Sequence, residues 1–413
     1  MYTPYPYQKE AIERAVRFLS GPSKHNAIEV LPTGSGKSLV IAGIAKELEG
    51  KTIVFQPTKE ILEQNLNKIY SYGVNATVYS ASLNKKELSD LTYATIGSVK
   101  NLADTFNDFG IKNIIVDECH YVNPKKGMYK ELFEQMKGVK ILGLTATPYR
   151  LTNDGWGGSI LKFITRTRPR VFQKVLYYVQ NGDLFRDGYL CPLKYYQFGD
   201  FNRSKLKFNS TGSDYSDDSV QQYFDFISFE SEIVHCVKRL IKAGRNGVLI
   251  FTPYIKESEY VVSNVPGAQI VTGETPNNDR AEIITAFRKG QIPAICNVGV
   301  LTHGFDYPEL DTVVIARPTA SLSLYYQMVG RAVRRHPNKK EAWIIDMCKN
   351  TELFGRVEDL RLKDEGNGKW VIHNGKRQLT NKYIEEMITG KRKKNIFAER
   401  AREKKKRQQE NPP

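Results

Sequence analysis

The chain has 413 residues, 40% hydrophobic and 26% charged, more than one core usually serves, so two domains plus an appendage are expected. No run of about 18 apolar residues suggests a membrane span, and the opening MYTPYPYQKEAIERAVRFL lacks a basic segment followed by an apolar one, which argues against a secretory signal and for a cytoplasmic protein. Sixty-one Lys and Arg against 45 Asp and Glu give a formal charge of +16, which favours a polyanionic partner without distinguishing DNA, RNA and an acidic membrane surface.

The first 150 residues alternate apolar runs with amphipathic stretches. Strands are predicted at AIEVL (27–31), TIVFQ (52–56), ATVYS (76–80), YATI (93–96), NIIVD (113–117) and KILGLT (140–145), with helical patterns such as SLVIAGIAKELE and KEILEQNLNKIYS between them. Repeated βα units with apolar strands imply a parallel sheet covered on both faces. Residues 151–228 fit neither period and are expected to be a linker or insertion, with NSTGSDYSDDS polar enough for a mobile loop. A second alternation fills 229–350, with strands predicted at GVLIF (247–251), AQIVT (268–272), PAICNV (293–298), TVVIA (312–316) and EAWIID (341–346). The fold class expected is α/β, with two tandem doubly wound parallel-sheet domains. A basic C-terminal extension follows over 351–413. In it WVIHNGKRQLT alternates around Asn374-Gly375, predicting a hairpin within 370–380. The charge run GKRKKNIFAERAREKKKRQQENPP reads equally as a solvated segment or as a nucleic-acid-binding arm. The cysteines Cys119, Cys191, Cys236, Cys296 and Cys348 are odd in number and never form a CxxC pair, so buried reduced thiols are expected rather than disulfides or zinc.

LPTGSGKS (31–38) follows a predicted strand and opens a predicted helix, the context a phosphate-cradling loop requires. Gly34 and Gly36 let backbone N–H groups turn toward phosphate, Lys37 supplies a point charge, and the Ser38 hydroxyl suits Mg²⁺. The strict GxxxxGK[ST] pattern wants glycine where this chain has Leu31. Downstream, IIVDECH (114–120) ends an apolar strand with Asp117, suited to Mg²⁺, and Glu118, suited to general base.

With these motifs placed, the chain resembles the superfamily-two helicases of the DExH type. YPYQ (5–8), PTKEILEQ (57–64), TIGSVKNL (95–102), LTATPYR (144–150), VLIFTPY (248–254), GVLTHGFDYPELD (299–311) and QMVGRAVR (327–334) appear in the family order. It is closest to the RadD family of bacterial or phage-encoded DNA-repair ATPases, through VDECH, LGLTATPYRL, GYLCP, VTGETP, NVGVLTHGFD and RPTASLSLYYQMVGRAVR. Those relatives carry a cysteine-rich C-terminal segment, whereas no cysteine follows Cys348.

The resemblance implies two RecA-like lobes and the cofactors ATP and Mg²⁺. It implies nucleotide contacts from Gln8 (to adenine), Thr33, Gly34, Ser35, Gly36, Lys37, Ser38, Gly304 and Asp306, with Ser38 and Asp117 as metal ligands. Gln327, Arg331 and Arg334 would complete catalysis from the second lobe. The two arginines are expected on one helical face, and Gln327 against the γ-phosphate or His120. Thr58, Ser98, Thr147, Arg150 and Thr302 would contact nucleic acid. The implied partner is branched or single-stranded DNA, with a monomeric motor recruited by a protein such as a single-strand-binding protein. The location would be the nucleoid, or the host cytoplasm for a phage product. An RNA-dependent ATPase and a duplex-holding translocase remain as alternatives.

Overall fold

Strands whose residues are nearly all apolar cannot face water, and here two parallel sheets solve this by burying both faces under helices. The computed structural model describes residues 3–153, 159–245, 247–301 and 307–389. Seven strands of the first lobe are β1 (Ala27–Val30), β2 (Thr52–Gln56), β3 (Thr77–Ser80), β4 (Lys85–Lys86), β5 (Leu91–Thr95), β6 (Asn113–Asp117) and β7 (Lys140–Thr145). Then come a hairpin of β8 (Tyr149–Asn153) with β9 (Ser159–Phe163), and β10 (Lys174–Tyr178). The first sheet runs β10-β1-β7-β6-β2-β5-β3-β4, parallel except where β4 pairs β3. Val30 lies opposite Thr145, and Leu144 opposite Asp117, so the carboxyl ends of β1, β7 and β6 form one level edge. Helices Pro6–Ser20 and Lys37–Glu47 pack Ala11, Ile12 and Ala15 with Val40, Ile41 and Ile44 on one face of the sheet.

The second sheet is parallel throughout, in the order β11 (Leu193–Gln197), β16 (Ala342–Asp346), β15 (Thr312–Ile315), β12 (Val248–Phe251), β14 (Ala294–Asn297), β13 (Gln269–Val271). The α/β expectation with two tandem doubly wound sheets is therefore met. Residues 151–228 give each sheet an edge strand: β10 lies beside β1, and β11 beside β16. Both are half-exposed and rich in Tyr and Lys, which is why their strand character escapes an apolar-run search. The segment expected to be a mobile loop is docked instead. Asp214 accepts from Thr319 Oγ1 and the Ala320 N–H, both at 2.7 Å, and Tyr215 is buried. Arg203, itself buried, donates to Cys348 O (2.8 Å), Asn350 Oδ1 (2.9 Å) and Tyr215 Oη (2.9 Å). Its polar composition serves buried hydrogen bonds, which composition alone does not separate from solvation.

The C-terminal hairpin is present as β18 (Trp370–Asn374) with β19 (Arg377–Gln378), turning at Gly375, and β17 (Leu360–Asp364) adds a third antiparallel strand. Trp370 packs 5.1 Å from Tyr178 and 6.4 Å from Phe163, and Gln180 bonds both the carbonyl and the N–H of Leu362. The appendage is thus fastened to the first lobe's edge strand and to the β8–β9 hairpin. The basic run from residue 390 lies outside the described residues. All five cysteines are buried and unpaired with one another, and no described helix is long and apolar enough to cross a membrane.

Candidate nucleotide cleft and nucleic-acid face

The turn after β1 carries Gly34 and Gly36, with φ of +83° and +82°, where a side chain would be strained. A Cβ on Gly36 would also fall 2.5 Å from Gln8 Nε2. The helix that follows starts at Lys37, so its first N–H groups face the same loop. Lys37 Nζ lies 3.1 Å from Glu118 Oε1 at the end of β6. The other Glu118 oxygen lies 3.4 Å from His120 Nδ1, whose ring nitrogen is also 2.9 Å from Thr145 Oγ1 and 3.1 Å from Thr147 Oγ1. Asp117 is buried and accepts from Glu118 N–H (2.9 Å) and Asn65 Nδ2 (3.3 Å).

Lys37, Asn65, Asp117, Glu118 and Thr147 line a cleft of about 580 Å³ together with Thr33, Ser38, Lys68, Gln327, Arg331 and Arg334. The lobes meet directly there. The Thr33 N–H donates to Tyr326 Oη at 3.2 Å, and a Cβ on Gly330 would come within 2.6 Å of Thr33 Cγ2. Arg331 and Arg334, expected on one helical face, lie instead beyond the end of helix Leu322–Val329. Gly330 sits against Thr33, and the Arg331 and Ala332 N–H groups take the tighter bonds to Met328 O and Val329 O that close a helix end. Both arginines reach the cleft all the same.

The electrostatics follow from burial against a cation excess. Burial raises the Glu118 carboxyl, but Lys37 and His120 outweigh it and hold the group well below the ordinary carboxylate range. Burial and then the Glu118 charge push its neighbour Asp117 up to about 7, against Lys37 and the bonds from Glu118 N–H and Asn65. Burial lowers Arg331 and Arg334 to about 10 each, with Glu118 opposing this at Arg331, so both stay charged at neutral pH. Burial and then Arg334 also lower Lys68. Five cations (Lys37, Lys68, Arg331, Arg334 and Arg335) surround two carboxylates in one cleft, a charge balance that suits a polyphosphate. The hard oxygen donors Ser38 and Asp117 on its wall suit Mg²⁺, which takes few protein ligands beside phosphate oxygens.

Several expected residues take other positions. Gln8 does not line the cleft: its Oε1 accepts from the Tyr5 N–H (2.9 Å) and its Nε2 donates to Ser35 O (2.6 Å), so it braces the loop. Ser35 is buried behind the loop, its carbonyl also held by Tyr7 Oη (2.9 Å). Gln327 lines the cleft, with the Tyr121 hydroxyl facing its side chain. Thr147 is buried on the nucleotide side. Arg150 donates to Val122 O (2.7 Å), and Ser98 Oγ accepts from the Ala81 N–H (2.9 Å), so both brace loops. Thr58 caps helix Lys59–Ser71 at the rim, accepting from the Ile61 N–H. Thr302, Gly304 and Asp306 lie outside the described residues. Sequence reasoning missed Lys68, Asn65, Tyr326 and the ring pair Tyr5 and Tyr189, whose centroids are 4.7 Å apart at the cleft mouth. The aromatic residue two places before Cys191 in GYLCP was the available signal for the last.

Residues 1–150 match the family described as type III restriction enzyme, res subunit, and residues 232–336 the helicase conserved C-terminal domain. A 51.5 kDa protein of a Lactococcus phage is 29% identical over 351 residues, covering 82% of this chain and 69% of that protein. The putative ATP-dependent helicase IRC3 of Saccharomyces cerevisiae is 23% identical over 368 residues, 82% of this chain and 50% of the relative, so the chain spans only about half of that protein. Among solved structures, the ATP-dependent type ISP restriction-modification enzyme LlaBIII bound to DNA superposes with a TM-score of 0.61 at 18% identity, over 84% of this chain and 27% of that one. The fold is that of tandem RecA-like lobes.

Proposed function

We propose, for a chain that belongs to the superfamily-two helicases, that it is a DNA-stimulated ATPase acting as a DNA helicase or branched-DNA translocase in replication, recombination or repair. One observation carries this reading: Lys37 and Glu118 of one lobe share a single cleft with Arg331 and Arg334 of the other. A transferring γ-phosphoryl group spreads negative charge over its oxygens, and cations supplied by a second lobe make its stabilisation depend on closure.

Bound Mg²⁺-ATP would supply the scissile phosphoanhydride and a Lewis acid at its phosphates, held by Ser38 and Asp117. Lys37, which spends its charge on Glu118 here, would turn to the β/γ-phosphates. Glu118 would then be free to accept a proton from the attacking water, its second oxygen kept in place by His120 and Thr145. Arg331 and Arg334 would balance the charge of the transferring group, and an arginine so placed is worth about 10³–10⁵ in rate. Tyr5 and Tyr189 offer ring faces at the cleft mouth, where a base would stack. Opening and closing at the Thr33–Tyr326 and Thr33–Gly330 contacts would step the lobes along a strand.

The motifs shared with the RadD family support a repair role. The test is ATP turnover measured against single-stranded, duplex, forked and four-way DNA, with matched RNA. Stimulation by DNA above RNA is expected, strongest on a fork or junction. Stimulation by RNA alone would make the chain an RNA-dependent ATPase, and turnover without strand displacement on any fork a duplex translocase.

A further inference from the structure

A second cavity, of about 550 Å³, opens on the same edge of the first sheet and is separate from the nucleotide cleft. Pro57 follows β2, Ile96 follows β5, and Tyr121 follows β6; Met128 and Tyr129 begin helix Met128–Gln135 and close the far wall. Its lining is mainly carbon, yet it stands open: Tyr121 is 45% and Met128 40% exposed, which the hydrophobic effect disfavours unless something covers them. Lys126 lines this apolar hollow, Lys59 and Lys125 adjoin its lining residues Thr58 and Lys126 in the chain, and Lys100 follows the short helix that Ile96 begins. Lys100, Lys125 and Lys126 are exposed and Lys59 half-buried, and among the described residues none of the four has an ion-pair partner. A flat π-system entering the hollow, with negative charge on either side of it, satisfies both features at once. That is the shape of one base of a single strand between its two phosphates. The pocket rim also includes Thr58, expected to contact nucleic acid, so the hollow continues that face.

The pocket is wired to the hydrolytic carboxylate. The Tyr121 ring lies 4.2 Å from the His120 ring, and its hydroxyl faces Gln327 of the second lobe. His120 Nδ1 is 3.4 Å from Glu118 Oε2. On the basis of the function proposed above, we infer that this hollow is a nucleobase pocket in which one unstacked base of the bound DNA strand rests on Tyr121, and that Tyr121 is the positioning residue through which strand binding reaches Glu118.

The test uses the full chain and a partial duplex with a single-stranded overhang, the junction fixing the register. Abasic sites are placed at one overhang position at a time. The inference expects one position where base loss weakens binding about 5- to 100-fold, the range of a stacked base, with small effects at its neighbours. At that position 2-aminopurine should be quenched on binding. Met128→Asp should flatten the abasic profile. Tyr121→Phe, which keeps the ring and loses the hydroxyl, should keep the profile and the DNA KM but lower DNA-stimulated kcat several-fold; Tyr121→Ala should lose both. A flat profile on the wild-type chain, or a dip that survives Met128→Asp and Tyr121→Ala, overturns the inference. If DNA still stimulates turnover in that case, the proposed function stands without the pocket. If no DNA stimulates turnover at all, the proposed function falls and takes this inference with it.

Discussion

The two cavities on the carboxyl edge of the first sheet are neighbours built from opposite materials. The nucleotide cleft draws on the turns after β1, β7 and β6 and is filled with charge, each acid held by named donors. The second hollow draws on the turns after β6, β2 and β5 and is lined with carbon beside Lys126. Strand order explains the division: β6 lies between β7 and β2, so its one turn serves both, presenting Glu118, backed by His120, to the cleft and Tyr121 to the hollow. A switch point in a parallel sheet therefore gives a chemical site and a recognition site a common wall. Coupling between them needs only the adjacent side chains His120 and Tyr121.

The largest effect should come from removing charge on the cleft side. Lys37→Ala or Glu118→Gln is expected to lower steady-state ATP turnover at least about 10³-fold, and Arg331→Ala to lower it by the 10³–10⁵ typical of a missing arginine finger. Glu118→Gln should still bind a fluorescent ATP analogue, since the amide keeps the shape and removes only the basic oxygen. Turnover within a few-fold of wild type in Arg331→Ala would break the comparison, because the cleft would then work with one lobe.

Smaller losses should follow where the cleft closes on steric fit and single hydrogen bonds. Gly330→Ala places a methyl only 2.6 Å from Thr33 Cγ2. Overpacking of that kind costs about 1–3 kcal/mol, so a fall in kcat of roughly tenfold or more is expected, with ATP binding to the open form retained. Tyr326→Phe removes the acceptor for the Thr33 N–H and the donor to Asn181 Oδ1, and should lower kcat about five- to tenfold, the weight of one or two ordinary hydrogen bonds. A change in Tm without a change in kcat would reassign both interactions to stability.

How much of this could be read from the chain follows the same line. Short motifs in which charge or glycine is indispensable were legible: Lys37, Asp117, Glu118, Arg331 and Arg334 all line the cleft they were expected to share. The central strands were legible too, because burial on both faces forces unbroken apolar runs. The edge strands β10 and β11 were not, since an edge tolerates Tyr and Lys and imitates a linker. Lys68 and Asn65 carry no motif; they enter the cleft because helix Lys59–Ser71 packs beside β6. The apolar hollow was invisible for a related reason. Its walls come from segments between Pro57 and Tyr129 that only the strand order β6-β2-β5 brings together.

The smallest effect at physiological salt should belong to the basic tail, and it sharpens the comparison by asking how far the recognition side extends. The run from Lys391 to Arg407 carries lysine and arginine with few acids, so it can release counterions from a phosphate backbone without reading any base. Deleting residues 391–413 is expected to raise the KM for DNA and to flatten the plot of log affinity against log salt by about 0.7–0.9 for each phosphate no longer neutralised, with kcat at saturating DNA unchanged. The abasic profile should keep its dip, because the tail would add uniform attraction and the hollow a single position. A salt slope unaltered by the deletion would confine DNA binding to the lobes, leaving Lys126 and other lobe cations to supply the charge.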